Sequence, residues 1–287
     1  MFVRPFRYER AESLHDACAM LRAHGDGAKA IAGGQSLLPM VNLGLVEPEV
    51  VVDLSRVDGS RGVAEDDGHL RIGALTRHQE LERDGLVREH QPLLAAAVRN
   101  VGSPRIRVRG TLGGSLAHSD PAAELPLAMP LLGADNEVTD GESQRTVPAG
   151  EFHVSYFTTA LAEDELLMEV RVPKLGPGWG WGFVEVSRRP GDFALVAASA
   201  LVRAVGTEVV EARVALGGVA ERPVRAAAVE MAIAGAGPGD AADRVGPIEG
   251  IEPVGDTGAT SEHRRHLARV LVVRALEDAL ASAGAAA

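Results

Sequence analysis

Two glycine turns are the parts of this sequence best suited to chemistry. The first is Ala32-Gly33-Gly34-Gln35-Ser36-Leu37-Leu38-Pro39; the second is Gly110-Thr111-Leu112-Gly113-Gly114-Ser115-Leu116-Ala117-His118-Ser119-Asp120. Each follows a stretch able to extend, and the missing side chains let backbone N–H groups point at an anion that a Cβ would hold away. Hydroxyls stand beside both pairs: Ser36 in the first, Thr111 and Ser115 in the second. Neither turn carries a lysine as a point charge. The ligand that suits them is therefore a diphosphate held by peptide amides and hydroxyls between two loops. Taken singly, either pair is also what an ordinary tight turn requires; the combination points to one phosphate-bearing ligand.

Other chemistries fit less well. A dinucleotide fingerprint needs a strand before its glycines and a helix after them. Gly25, Gly27 and Ala30 come nearest, but they follow a helix and precede a strand, and there is no P-loop sequence. His118, Asp120 and Glu124 have the residue types of a metal site without a second histidine nearby. Asp120 and Glu124 read better as acceptors for the hydroxyls of a polyol, and His118 as a loop cap. No serine or cysteine sits in a nucleophile elbow. His15, His24, His78, His90, His153, His263 and His266 are scattered, mostly on faces expected to be exposed. No catalytic residue and no metal ligand is assigned.

Composition narrows the class. The chain has 287 residues, 46% hydrophobic and 24% charged, enough for two or three modest cores. A net charge of −11 argues against nucleic acid or an anionic membrane as partner. Arg105, Arg107 and Arg109 form the densest basic run and suit a local anion site. Cys18 is the only cysteine, which excludes an internal disulfide, an iron–sulfur cluster held by this chain alone and a cysteine-based zinc site. Met1-Phe2-Val3-Arg4-Pro5 has no apolar h-region and no segment is long enough to span a bilayer, so a cytoplasmic protein is expected.

The elements that position the turns follow from periodicity. Ser13 and Asp16 open a helix whose Leu14, Ala17, Cys18 and Leu21 share one face, ended by Gly25-Asp26-Gly27. Strands are expected at Ala28–Ala32, directly before the first turn, and at Val50–Leu54. A second unit starts near Ser55, with a strand at His69–Ala74, a capping box at Thr76 and Gln79, and a helix over Pro92–Asn100. Arg105–Ser119 reads as a long glycine-rich connection and Glu124–Leu132 as a covered helix. Glu137–Thr139, Arg145–Val147 and Leu166–Val172 read as strands of an antiparallel sheet.

Gly176-Pro177-Gly178 marks the domain boundary. Beyond it, strands at Gly182–Val186, Ala194–Val205 and Val209–Leu216 precede a helix over Val224–Ala234, a loop-like stretch over Pro238–Gly258 and a long helix over Ser261–Ala283. The fold class is α+β. Trp179 and Trp181 read as packing between domains, with a partner surface as the alternative. The last helix covers a core through Leu267, Val270, Leu271, Leu276 and Leu280, or binds a partner.

At this point the residues resemble a known family, the FAD-binding medium subunits of the molybdenum hydroxylases, which include carbon monoxide dehydrogenase and xanthine dehydrogenase. The resemblance spans essentially the whole chain. It lies in residues 32–39, in Gly102-Ser103-Pro104-Arg105-Ile106-Arg107-Val108-Arg109 running into the second turn, in Ala117–Pro126 and in Arg188-Arg189-Pro190-Gly191-Asp192-Phe193-Ala194-Leu195-Val196. It implies a two-part FAD-binding domain, vanillyl-alcohol-oxidase-like and of the PCMH type, over residues 1–175 with subdomains of about 1–54 and 55–175. A smaller carboxy-terminal α+β domain with an antiparallel sheet and helices follows over 176–287. It further implies that Ile31, Ala32, Gly33, Gly34, Gln35, Ser36, Leu37 and Leu38, with Thr111, Leu112, Gly113, Gly114 and Ser115, hold the diphosphate of a non-covalent FAD. Val101 lines the site, Asp120 and Glu124 lie near the ribityl chain and flavin, and Leu167 packs near the isoalloxazine. Two positions depart from the family: Ser115 stands where many members have asparagine, and Val184-Glu185 where some carry a lysine.

What the resemblance implies for function is electron transfer. A large molybdopterin subunit hydroxylates the substrate, a small [2Fe–2S] subunit relays electrons, and the FAD of this chain hands them to an external acceptor, in a heterotrimer that is itself doubled. Two rivals stand beside it: a self-contained flavin oxidase of the vanillyl-alcohol-oxidase type, and a scaffold subunit that has lost its flavin.

Overall fold

The computed structural model describes residues 4–206, 208–237, 240, 241 and 243–285. In the first unit, β1 (Arg7–Arg10), α1 (Leu14–His24), β2 (Ala28–Ile31), α2 (Leu37–Asn42) and β3 (Val50–Asp53) surround a parallel sheet of order β1-β3-β2. Ser13 Oγ accepts from the Asp16 N–H at 3.0 Å and caps α1, while the Asp16 carboxylate accepts from the N–H of Glu12 rather than of Ser13. Val50, Val51 and Val52 are buried between the two outer strands. β1, a polar edge strand of sequence Arg-Tyr-Glu-Arg, carries no apolar alternation and was not expected; its Tyr8 and Arg10 bond to the buried Asp53.

The second unit runs β4 (Val63–Asp66), β5 (His69–Gly73), α3 (His78–Arg83), α4 (Gly85–His90), α5 (Pro92–Asn100), α6 (Pro104–Arg107), α7 (Leu112–His118), α8 (Glu124–Leu132), β6 (Asp135–Thr139), β7 (Gln144–Pro148), α9 (Ala149–Phe152), β8 (His153–Ser155), β9 (Thr158–Thr159) and β10 (Leu166–Pro173). Its antiparallel sheet has the order β4-β5-β10-β6-β7. The expected capping box shifts by one residue. Glu80 accepts from the N–H of Arg77 to open α3, whereas Thr76 Oγ1 accepts from the Gly62 N–H and donates to the Gly62 carbonyl. Arg105–Ser119 is not a connection but two short helices, α6 and α7.

The third unit holds β11 (Trp179–Val186), β12 (Val196–Val205), β13 (Glu208–Gly217), β14 (Val224–Arg225), α10 (Ala227–Ile233) and α11 (Ser261–Ala285), with an antiparallel sheet β11-β12-β13-β14. Val224 and Arg225 pair with β13 instead of starting a helix. β11 begins earlier than Gly182 because Gly180 and Gly182 sit under α11. A Cβ on either would overlap a carbonyl oxygen of that helix, at Ala279 and Ala275 respectively. The alternate positions Trp179, Trp181 and Phe183 face the other way and pack on the core of the second unit. Packing between units is therefore what the two tryptophans do. One face of this sheet joins that core and the other builds its own with α10 and α11.

Candidate functional site

The two glycine turns meet. A Cβ on Gly33 would overlap the carbonyl oxygen of Arg109 and would lie 2.9 Å from Gly110 Cα, so the absent side chain is what lets the segments touch. A Cβ on Gly114 would come 3.9 Å from Ala32 Cβ. Between the turns lies a cavity of about 560 Å³, within the range of small-molecule and cofactor sites.

The first turn is a cradle of free donors. Gly34 takes φ +72° and the chain enters α2 at Leu37. Among the described residues nothing accepts from the N–H groups of residues 33–37, and the Gln35 amide folds back to donate to the Gly33 carbonyl at 3.1 Å. Successive free amides around a left-handed residue form a concave anion site.

The second turn differs from the expected bare bend. Gly113 and Gly114 are in the first turn of α7, and their amides are already used: Gly113 N–H donates to the Ala74 carbonyl at 2.8 Å, and Gly114 N–H to the Thr111 hydroxyl at 3.1 Å. A Cβ at Gly113 would stand 2.6 Å from Ala74 Cβ, and one at Gly114 2.7 Å from Thr111 Oγ1. These glycines therefore serve close packing and the N-cap. What this side offers a ligand is hydroxyls: among the described residues Ser115 Oγ, like Ser36 Oγ across the cavity, makes no hydrogen bond.

Of the seventeen residues expected at the site, Ile31–Leu37, Val101, Thr111, Gly113–Ser115, Glu124 and Leu167 line this cavity. Leu38, Leu112 and Asp120 do not. Leu38 is 40% exposed and lies against the open side of Gly34. Leu112 is fully buried in the core, where the helical period of α7 turns it. Asp120 accepts from the Ala122 N–H at 2.9 Å and lines a neighbouring cavity of about 660 Å³ instead. The loop Gly191-Asp192-Phe193 forms the partition, lining both.

Several contributors carry no local sequence signal. His78, expected on an exposed face, is buried, and its Nε2–H donates to the Thr111 carbonyl at 2.8 Å; burial pulls its pKa down to about 4, so the ring is neutral. A Cβ on Gly110 would reach within 2.9 Å of that ring. His153 is likewise buried, with Nδ1 2.9 Å from Ser119 Oγ and a pKa lowered to about 4, chiefly by burial. Ser119 ends α7 at φ +54°, and its carbonyl accepts from the N–H of Phe157, itself at φ +52°. Phe157 thus reaches the cavity and packs 5.1 Å, centroid to centroid, from His118.

Cations come from outside the turns. Arg77 donates to the Arg109 carbonyl behind Gly33, and burial together with Arg61 and Arg109 lowers its pKa. A guanidinium cluster beside free amides favours an anion. Burial raises the pKa of Glu124, which lines the cavity, to about 8; it also raises Asp120, in the neighbouring cavity, and Glu185 on β11, to about 7. Free amides, free hydroxyls and an apolar wall including Leu54, Ile106 and Leu167 match a diphosphate joined to a planar, largely apolar ring.

Comparison with known proteins agrees with that chemistry. Residues 4–175 match the family described as "FAD binding domain in molybdopterin dehydrogenase", and residues 181–279 the "CO dehydrogenase flavoprotein C-terminal domain". The 6-hydroxypseudooxynicotine dehydrogenase complex subunit alpha of Paenarthrobacter nicotinovorans is 36% identical over 96% of this chain and 94% of its own. The carbon monoxide dehydrogenase medium chain of Hydrogenophaga pseudoflava is 33% identical over 96% and 97%. Among solved structures, carbon monoxide dehydrogenase from Hydrogenophaga pseudoflava superposes with a TM-score of 0.94 at 34% identity, over 98% of this chain and 99% of that one. Quinoline 2-oxidoreductase from Pseudomonas putida 86 gives a TM-score of 0.91 at 35% identity, over 100% and 99%. With a cradle shaped for a dinucleotide and a likeness running the length of the chain, this protein belongs to the FAD-binding medium subunits of the molybdenum hydroxylase family.

Proposed function

We propose that this chain binds FAD non-covalently between its two glycine turns, takes electrons from [2Fe–2S] clusters of a small partner subunit and passes them to an external acceptor. A large molybdopterin subunit completes the complex, as a dimer of heterotrimers working in the cytoplasm. The observation that carries the reading is the contact of Gly33 with the Arg109 carbonyl, which brings the second turn against the five amides of residues 33–37 that have no acceptor among the described residues.

FAD, when bound, supplies the redox chemistry, accepting electrons singly and releasing them in pairs. The chain's own residues bind and orient it. Residues 31–37 receive the diphosphate through their amides and Ser36, while Thr111 and Ser115 offer hydroxyls from α7. Arg77 and its neighbours supply positive potential without entering the turns. Leu167 and Val101 exclude water from the ring, and Glu124 faces its polar edge. Residues 1–175, as subdomains 1–54 and 55–175, are taken as the flavin domain and 176–287 as the domain that closes it. Leu38, Leu112 and Asp120 act through backbone or packing.

The test is purification from the native host under mild conditions. Expected is a yellow protein, with flavin absorbance near about 450 nm, that elutes with an iron–sulfur chain and a large molybdenum-containing chain. A colourless chain that FAD fails to reconstitute would refute flavin binding, and a yellow chain travelling without either companion would refute the assembly.

A further inference from the structure

We propose that Phe157 is the stacking platform for the isoalloxazine ring: its phenyl lies against one face of the flavin, and a pair of left-handed residues holds it there ahead of binding. The proposal rests on FAD as the ligand of the cavity and adds a contact residue to that reading.

The backbone points to this residue. Among the described residues only three other than glycine take a positive φ: Asp67, Ser119 and Phe157. Asp67 precedes Gly68 in the tight turn between β4 and β5, where an Asp-Gly pair is the expected choice. The other two meet at the flavin cavity. Phe157 stands in the two-residue turn between Ser155 and Thr158, which pair across β8 and β9. Such a turn selects glycine or asparagine, and a bulky side chain at φ +52° is costly there. Ser119, at φ +54°, is fixed from several sides. Its hydroxyl donates to the Thr158 carbonyl at 3.2 Å and stands 2.9 Å from His153 Nδ1, its N–H donates to the Leu116 carbonyl at 3.1 Å, and its own carbonyl accepts from the Phe157 N–H at 3.1 Å. Strain that the surroundings over-determine in this way gathers at binding sites.

The fold draws little from the ring itself. Phe157 is 54% exposed and belongs to no hydrophobic core among the described residues. It lines the flavin cavity, and its aromatic neighbour is His118, 5.1 Å away between centroids and tilted by 39°. Its place along the ligand follows from α7. That helix begins at the Thr111 cap, where Gly114 comes against the first turn, and ends at His118. Its seven residues, at about 1.5 Å each, set the phenyl about 10 Å beyond the diphosphate cradle. This is too far for a phosphate contact and suits a ring carried on a ribityl chain. Leu161, Leu166 and Leu167 line the same cavity, and α7 packs on β9 and β10. An apolar wall with one exposed aromatic face takes a flat ring by stacking, a contact worth about five- to a hundredfold in affinity where bases stack on aromatic side chains.

The experiment titrates the full-length native chain and its Phe157→Gly, Phe157→Leu and Phe157→Tyr variants with FAD by calorimetry. Expected is an affinity about tenfold or more lower in Phe157→Gly, a smaller loss in Phe157→Leu, which keeps apolar bulk without a flat face, and native affinity in Phe157→Tyr. Without FAD, Phe157→Gly is expected to melt within about 4 °C of the native chain, because glycine relieves the left-handed backbone as it removes the ring. A residue needed only for packing would not separate binding from stability in this way. At saturating FAD the visible circular dichroism of the flavin is altered in Phe157→Leu and restored in Phe157→Tyr. Native affinity in Phe157→Gly overturns the proposal. So does a flavin dichroism in Phe157→Leu that superposes on the native one, since the phenyl would then lie away from the isoalloxazine. A Phe157→Gly chain that melts far below the native one, or fails to fold, makes the ring a packing element and overturns it as well. Absence of FAD binding in the native chain overturns the flavin reading itself.

Discussion

Gly33 lies against the carbonyl oxygen of Arg109 with no room for a β-carbon between them. That contact joins the first unit to the second at the point where the cavity opens, and the same carbonyl is held from behind by Arg77.

Gly33→Ala tests this contact directly. The added methyl has to displace backbone rather than a side-chain tip, and overpacking of that kind costs about 1–3 kcal/mol. The variant is expected to fold with a lowered melting temperature and to lose most of its FAD, read as the ratio of flavin to protein absorbance. A folded variant with the native flavin ratio would show that the turns need not touch.

At the second turn the N-cap is the sensitive element. Thr111→Ala removes the hydroxyl that accepts from the Gly114 N–H, a loss of about 1 kcal/mol for a helix cap, and is expected to weaken FAD binding measurably. Gly114→Val is expected to abolish it, since its Cβ would press on Thr111 Oγ1 at 2.7 Å as well as narrow the cavity. Equal flavin content in native, Thr111→Ala and Gly114→Val proteins would remove α7 from the binding site.

Stability should depend on pH through Glu124 and Glu185. Burial pushes their carboxyls up to about 8 and about 7, above the ordinary value of 4.5. For a group raised on folding, the folded state binds more protons. Its contribution is therefore complete at low pH and lost as pH rises through about 7 to 8. His78 and His153 work oppositely: lowered from 6.5 to about 4, they cost stability as pH falls across that interval. The FAD-free chain is thus expected to melt lower at pH 8 than at pH 6.5, and Glu124→Gln to flatten that decline. Identical melting of native and Glu124→Gln proteins at both values would count against the raised carboxyl.

In the third unit, Gly182→Ala places a methyl on the Ala275 carbonyl of α11. The helix must lift from β11, at a cost of about 1–3 kcal/mol or more. Thermal or denaturant unfolding should show the loss, with flavin content near native because the turns are remote. Unchanged stability would mean that α11 adjusts its position freely.

Much of this protein was legible in its residues. The glycine pairs, the hydroxyls beside them, the apolar periodicity of α1, the proline that opens α5, the apolar stretch of α8, the leucines of α11 and the run of β12 are all local signals, and local chemistry is what propensity and capping report. The polar edge strand β1 was illegible because it borrows its pairing from Val50–Asp53. α7 was hidden because its opening glycines discourage a helix, and only the Thr111 cap and the packing of Gly113 on Ala74 make it form there. His78 and Phe157 gave no hint, since their roles depend on Thr111 and Ser119, far from them in sequence.

By itself, the order of residues determined that two glycine pairs with hydroxyl companions exist, and that the first of them suits a phosphate. Which amides remain free was decided only on folding: among the described residues nothing accepts from those of residues 33–37, whereas those of Gly113 and Gly114 are consumed by Ala74 and Thr111. Tertiary structure likewise buried Glu124 and Glu185, and that burial raises both carboxyls. The physical reason is the same in both cases. Hydrogen-bond satisfaction and carboxyl ionisation are set by what surrounds a group in space, and those surroundings come from segments that sequence distance keeps apart.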